Sequence, residues 1–323
     1  YLFFLIKIIK IFIPFLLFAL ISCVNNDELK DPIPPVGYFN YTLLEWSAGL
    51  GFIDLINRAP EIPPSIEVIS DIPFKETSSR PLKLDIFRKK DHSGFVPTLI
   101  FIHGGSWKYG EKEDYLFYLI EFAKKGYVTA TLSYRLSSEA KFPAAVEDVT
   151  CGVQWIKQNG GDYGIDTNKV VVIGGSAGAH LAMMIGYTNA YETCGSIGKV
   201  QGIVNIYGPV DLTTDFALSN SALTEFIGID YAQNPTLFQD ASPLSYISGD
   251  DPPTITFHGT IDKIVPISQA DTLDQRLKRL GVSHEYHRLK GWPHTMDLAV
   301  PVNEYMQFYM AKFFEKVVPF NNE

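Results

Sequence analysis

The chain has 323 residues, of which 46% are apolar, 13% aromatic and 20% charged. That is enough apolar side chain for one sizeable core, and it excludes a disordered polymer. The formal net charge of −9 excludes the broad basic surface that a nucleic-acid-binding protein needs.

Tyr1 to Ser22 is almost wholly apolar, interrupted by Lys7, Lys10 and Pro14. The lysines precede a run without charge, Ile11 to Ile21, about as long as a signal-peptide core and short for a membrane span. The run ends in Leu20-Ile21-Ser22-Cys23, which resembles a bacterial lipobox. Residues 1–22 are therefore expected to be a lipoprotein signal peptide. Cys23 is the expected lipid-attachment site, which would hold an exported protein at a membrane of the bacterial cell envelope, at the outer membrane or facing the periplasm. An ordinary signal peptide or an uncleaved anchor helix is the alternative. Removing residues 1–22 takes away two lysines and no acid, so the charge of −9 becomes −11. Residues 23–65 read as a tether and an N-terminal helical segment. Pro32, Pro34, Pro35 and Gly37 oppose regular structure, and residues 41–58 carry apolar positions at helical spacing that predict a helix near the active site.

From residue 66 to 323 the pattern is that of one catalytic domain. Ile66 to Ile72 and Leu82 to Phe87 alternate as an antiparallel hairpin around Ser78-Ser79-Arg80-Pro81. Strands are then expected at Thr98 to Ile102, Tyr127 to Leu132, Lys169 to Ile173, Gln201 to Tyr207, Thr254 to Phe257 and Glu285 to Leu289. Helices are expected at Lys112 to Lys125, Pro143 to Gln158, Ser176 to Tyr187, Ser268 to Leu280 and Met296 to Glu315. About eight strands with helices between them predict an α/β fold, a mostly parallel sheet covered on both faces. Residues 211–250 are irregular and read as a small cap insertion roofing the pocket. Its aromatics Phe216, Phe226, Tyr231 and Phe238 suit either an acyl or aryl group or simple packing. Cys151 and Cys194 remain after the leader. Export permits a disulfide between them, and two separate small apolar residues are the alternative.

The chemistry centres on Gly174-Gly175-Ser176-Ala177-Gly178. A buried strand runs into Gly-x-Ser-x-Gly and a helix follows, the context of a nucleophile elbow with Ser176 exposed above the sheet. The first N–H of that helix, on Ala177, is an expected oxyanion donor. Ser176 needs a base. Of the seven histidines, His92, His103 and His180 precede the serine or lie just after it. His284 and His287 flank or lie in a strand, and His258 ends one. His294, in the loop Gly291-Trp292-Pro293-His294, is the expected base. Asp262, after the strand Thr254 to Phe257, is the expected acid. Its rivals are Asp297, read as a cap of the last helix, and Glu285. His103-Gly104-Gly105-Ser106-Trp107 follows a strand and offers the Gly105 and Ser106 N–H groups as further oxyanion donors. Trp107 buttresses that loop or lines the pocket. No Cys-x-x-Cys or histidine cluster points to a metal, and the chemistry requires no cofactor.

These motifs, with Tyr134-Arg135-Leu136, Phe142-Pro143-Ala144 and His258-Gly259-Thr260-Ile261-Asp262, resemble the α/β-hydrolase carboxylesterases related to hormone-sensitive lipase. The resemblance covers about residues 66–316 and is nearest to the bacterial feruloyl- and acetyl-xylan-esterase-like branch. Ser106, where hormone-sensitive-lipase relatives usually have a third glycine, and Ser137-Ser138-Glu139 are departures that favour that branch. The resemblance implies Ser176, Asp262 and His294 as triad. It also implies a small-molecule or polysaccharide ester substrate with a short acyl or hydroxycinnamoyl group. A serine peptidase, a formamidase or a non-catalytic binding protein on the same scaffold is the competing expectation.

Overall fold

The structure is a computed structural model that describes residues 31–320. The leader expected over residues 1–22 and the lipid site expected at Cys23 lie outside the described residues. Contacts divide the chain after Ile33. Of the first unit only residues 31–33 are described, without regular structure, and the second, Pro34–Glu323, carries everything below. Among the described residues no helix is long and apolar enough to cross a membrane.

Helix α1 (Tyr41–Gly49) precedes the hairpin β1 (Ile66–Lys75) and β2 (Leu82–Lys89). Then follow β3 (Val96–Ile102), α2 (Leu116–Lys124), β4 (Val128–Leu132), α3 (Ala144–Asn159), β5 (Ile165–Gly175), α4 (Ala177–Tyr187) and β6 (Gly202–Ile206). Three short helices, α5 (Asp215–Leu218), α6 (Ser221–Ile227) and α7 (Pro235–Asp240), lie in the insertion. The chain closes with β7 (Thr254–Gly259), α8 (Ser268–Leu280), β8 (His284–Leu289) and α9 (Val300–Val317).

The eight strands form one sheet in the order β1-β2-β4-β3-β5-β6-β7-β8. The β1–β2 and β2–β4 pairs are antiparallel and all others parallel. Strand β5 shows why the apolar runs are unbroken in the parallel part. Val170 and Val172 enter the core shared with α3, α4 and α8, whereas Val171 and Ile173 enter the core shared with α2 and α9. A strand covered on both faces has no polar side to show. Its C-terminal end, between β3 and β6, is where an open parallel sheet presents functional groups.

Cys151 on α3 and Cys194, in the loop after α4, are joined in a disulfide with their Cα atoms 5.3 Å apart. The bridge closes a loop of 43 residues, which in the chain-entropy account is worth about 4 kcal/mol. A Cys151→Ser/Cys194→Ser variant is expected to lose stability by roughly that amount, read from the urea midpoint. A midpoint unchanged from the oxidised wild type would exclude the bridge.

Candidate active site

The strand-to-helix turn at Ser176 is as tight as the motif requires. A Cβ on Gly174 would lie 2.2 Å from the carbonyl carbon of Gly178, and one on Gly178 would lie 2.1 Å from the Ile102 oxygen. Ser176 itself has φ 55° and ψ −122°, a conformation L-residues rarely adopt and one stored at functional sites. Its N–H donates to the Ile206 carbonyl at 2.9 Å, which fastens the turn to the end of β6.

His294 and Asp262 come to this turn from two loops at the same edge of the sheet. The Ser176 hydroxyl lies 3.0 Å from His294 Nε2, and His294 Nδ1 lies 2.7 Å from Asp262 Oδ2. Burial would raise the Asp262 pKa. Hydrogen bonds from His258 and His294, the charge of His294 and the Val265 N–H outweigh it and hold the carboxyl down at about 2. An ionised carboxylate only accepts hydrogen bonds. His294 Nδ1 therefore carries the proton, and Nε2 is left to accept the one on Ser176.

The low Asp262 pKa is also a statement about stability. Because the folded value lies below that of a free carboxylate, the ionised group stabilises the fold above about pH 4, by about 2 kcal/mol, and loses that contribution as pH falls towards 2. The stability advantage of the wild type over Asp262→Asn is expected to shrink between about pH 5 and pH 2. Urea unfolding at both ends of that range measures it, and a constant difference would contradict the assignment.

His258, which opens the motif that ends in Asp262, is a second histidine partner of that carboxylate. It is wholly buried, with Nε2 2.8 Å from the Val265 oxygen and 3.3 Å from Asp262 Oδ2. Its Nε2–H is thus shared between these acceptors, while Nδ1 has no partner among the described residues. The Ile264 and Val265 N–H groups donate to Asp262 Oδ1 at 2.8 and 2.9 Å, so both carboxylate oxygens are fixed.

Two of the three expected oxyanion donors, Gly105 and Ser106, lie beside the Ser176 turn. Gly105 has φ 103°, and Ser106 and Trp107 have φ 55° and 56°. This left-handed run lifts the loop off the end of β3. A Cβ on Gly105 would lie 2.2 Å from the Tyr109 oxygen. Gly105, Ser106 and Ser176 all line one cavity of about 550 Å³. The Ala177 N–H is the first of α4 and has no helical acceptor four residues back. Below the loop, His103 is buried, and burial lowers its pKa. Its ring stacks on Tyr134 at 4.2 Å, and the Tyr134 hydroxyl donates to the His103 carbonyl at 3.0 Å.

Two expectations are corrected. The 211–250 insertion does not roof this cavity, since none of its residues lines it. Phe226 and Phe238 are buried in the core, with Phe216 and Tyr231 packed against it. Phe226 stacks on Trp107 with ring centres 4.5 Å apart. The Trp107 indole N–H donates to His180 Nδ1 at 3.2 Å, and His180 Nε2 lies 2.8 Å from the Ala241 oxygen. Burial pushes the His180 pKa down to about 4, so the ring is neutral and accepts from Trp107 while donating to Ala241. Trp107 thus buttresses the loop from beneath. The insertion's aromatics found apolar partners on the core side of that loop, and their burial there took them out of the pocket.

Asp297 is the second correction. It does not cap α9, whose cap residue is Ala299 with no side-chain bond. It is buried in the cavity wall and accepts a hydrogen bond from the Tyr207 hydroxyl. Burial raises the pKa of both groups, so Tyr207 keeps its proton to donate. The Tyr207 ring lies 4.4 Å from His294. Tyr115 and Tyr118 complete this wall, and Tyr115 makes no hydrogen bond through its hydroxyl among the described residues. Arg58 from the N-terminal segment also lines the cavity and pairs with Asp114 at 2.9 Å. The sequence carried one signal for Tyr207: it ends the strand expected next to the one that leads into Ser176. Nothing local marked Tyr115, Tyr118 or Arg58.

Comparison with known proteins follows the same lines. Esterase LipC of Mycobacterium tuberculosis (strain ATCC 25618 / H37Rv) is 31% identical over 230 residues, covering 67% of this chain and 57% of LipC. The chain spans a little over half the length of the curated relatives it matches. Among solved structures, a bifunctional GH43-CE from Bacteroides eggerthii superposes with a TM-score of 0.69 at 25% identity, covering 77% of this chain and 38% of that one. A truncated carbohydrate esterase from gut microbiota superposes with a TM-score of 0.68 at 22% identity, covering 81% of this chain and 98% of that one. The resemblance to α/β-hydrolase carboxylesterases of the hormone-sensitive-lipase type is borne out. The BD-FAE family matches residues 84–277, a span that holds Ser176 and Asp262 and takes up more than half of the sequence, and the chain belongs to that family.

Proposed function

We propose that the chain is a serine carboxylester hydrolase with Ser176 as nucleophile, His294 as base and Asp262 as the acid that orients it. The observation that carries this is the pair of hydrogen bonds linking Ser176 Oγ, His294 and Asp262 at 3.0 and 2.7 Å, opening on a cavity of about 550 Å³. His294 Nε2 takes the hydroxyl proton as Ser176 Oγ adds to the ester carbonyl. The N–H groups of Gly105, Ser106 and Ala177 hold the oxyanion. The C–O bond to the alcohol breaks, and the alcohol leaves with the proton from His294. Water, deprotonated by the same imidazole, then adds to the acyl-enzyme and releases the acid and Ser176.

The substrate we favour is a short acyl or hydroxycinnamoyl ester of a plant polysaccharide. Support comes from the tyrosine-rich wall beside His294, which suits a ring bearing hydroxyls, and from the likeness to the Bacteroides GH43-CE. Release of acid from acetylated and feruloylated xylan, against p-nitrophenyl acetate, tests it. Hydrolysis of the simple ester alone would remove the polysaccharide from the proposal. We further propose that residues 1–22 export the chain and that Cys23 is lipidated, tethering it in the envelope. Retention of Cys23→Ala in the membrane fraction would contradict that.

A further inference from the structure

Large apolar side chains are left in solvent along α1 and the segment after it. Phe39 is 92% exposed and Trp46 67%, and Leu43, Leu50 and Leu55 are each at least half exposed. Leu43, Trp46 and Leu50 follow at intervals of three and four residues, the spacing that aligns side chains along one helix face, and Phe39 lies just ahead of the cap. Asn40 caps the helix by accepting the Leu43 N–H at 2.9 Å. Tyr41 leans on the body of the protein, its ring 4.2 Å from Lys263 Nζ. The following segment is fastened to the cavity wall, where Ile56 N–H donates to Leu298 and Val300 N–H to Asp54, each at 2.9 Å. Ile56 lines the cavity while its neighbour Leu55 is exposed. The stripe is thus hung beside the cavity mouth.

A contiguous exposed apolar surface of this kind marks an interaction site, and three observations select its occupant. The apolar run Ile11 to Ile21 lies upstream, and only residues 24–38 separate Cys23 from Phe39. Fully extended, those 15 residues reach about 50 Å, so a membrane receiving that run lies within reach of α1. Trp46 stands between leucines, the mixture that settles at the boundary of headgroups and acyl chains. Residues 39–62 contain Glu45, Asp54 and Glu61 against Arg58 alone, with no lysine, so attraction to anionic lipid is not the driving force.

We propose that this stripe is a membrane-docking surface that seats in the interfacial layer of a zwitterionic bilayer. Docking holds the cavity mouth, whose lining includes the exposed Ile264 and Tyr109, at the headgroup layer. The inference rests on the reading that residues 1–23 bring the chain to a membrane, and the experiment separates the two.

The full-length chain is expressed with its leader in a bacterial host, and membrane-extracted protein is reconstituted into phosphatidylcholine vesicles with brominated acyl chains. Trp107 and Trp292 are buried, and subtracting the emission of Trp46→Phe isolates that of Trp46. The expected result is a blue-shifted Trp46 emission, quenched by the brominated chains and several-fold less open to iodide than in a Phe39→Ser/Leu43→Ser/Leu50→Ser variant. A vesicle-bound chain whose Trp46 stays open to iodide overturns docking and leaves the anchor standing. If the chain is not retained by vesicles, the anchor fails. Docking must then appear as an emission shift when vesicles are added to the soluble chain, and no shift overturns it too. A shift that depends on protein concentration without lipid would assign the stripe to a second copy and overturn the proposal.

Discussion

Ser176→Ala is expected to lower kcat/KM on p-nitrophenyl acetate by roughly ten-thousand- to a million-fold, with the fold and substrate affinity kept. The size follows from what is lost and what remains. The substitution removes the hydroxyl oxygen 3.0 Å from His294 Nε2 and with it the covalent route. Positioning and the oxyanion N–H groups stay, because Ala177, Gly105 and Ser106 hold their places through backbone geometry. The residual rate is then that of water attacking a held ester. His294→Ala should cost about as much, and the double variant no more than either single one, since residues acting as a unit lose their effect together. Additive losses would show that Ser176 and His294 do not act in one step. Unchanged turnover in Ser176→Ala would sink the esterase proposal, and peptide mapping after fluorophosphonate labelling would then locate the reactive residue.

Asp148→Ala is expected to destabilise the fold by about 3–5 kcal/mol, the cost of stranding partly buried cations without their anion. Asp148 is wholly buried on α3. It accepts from Arg135 Nε at 2.7 Å, Arg135 Nη2 at 2.8 Å, the Arg135 N–H at 3.0 Å and Lys75 Nζ at 2.7 Å. Arg135 and Lys75 are less than one-fifth exposed, so neither cation can turn freely to water. The network also reaches the site. It fixes the segment after β4, and two residues on the Ser137 N–H donates to the Trp107 carbonyl at 2.7 Å. The activity that survives should therefore fall more steeply with temperature than the wild type's. A urea midpoint within experimental error of the wild type would show that the pair adds nothing net to the fold.

Arg135 shows what kind of information the motifs carried. Tyr134-Arg135-Leu136 was visible as a resemblance, but its work was not. Tyr134 supports the turn at His103, and Arg135, in the segment after β4, neutralises a carboxylate on α3. Both are contacts between residues far apart in sequence. Asp297 and Phe226 went the same way. Local spacing gave Asp297 the role of helix cap and left Phe226 between pocket lining and packing. Packing placed Asp297 against Tyr207 and Phe226 against Trp107 instead. Boundaries shifted for local reasons too: β1 runs on from the expected Ile72 to Lys75, past a register shift at Asp71, which takes a positive φ and donates its N–H to Asp85 at 2.7 Å.

By itself the sequence determined the α/β architecture, the elbow at Ser176 and the positions of Asp262 and His294. Those features are written in short-range terms: unbroken apolar runs for strands buried on both faces, glycines where no Cβ fits, and an order of motifs along the chain. Only the tertiary structure decided that His258 shares its proton between Val265 and Asp262, that Cys151 meets Cys194, that Tyr115, Tyr207 and Asp297 wall the cavity, and that the insertion stays out of it. These depend on which surfaces of distant elements meet once two cores fill on opposite faces of one sheet. Spacing along the chain holds no record of that meeting.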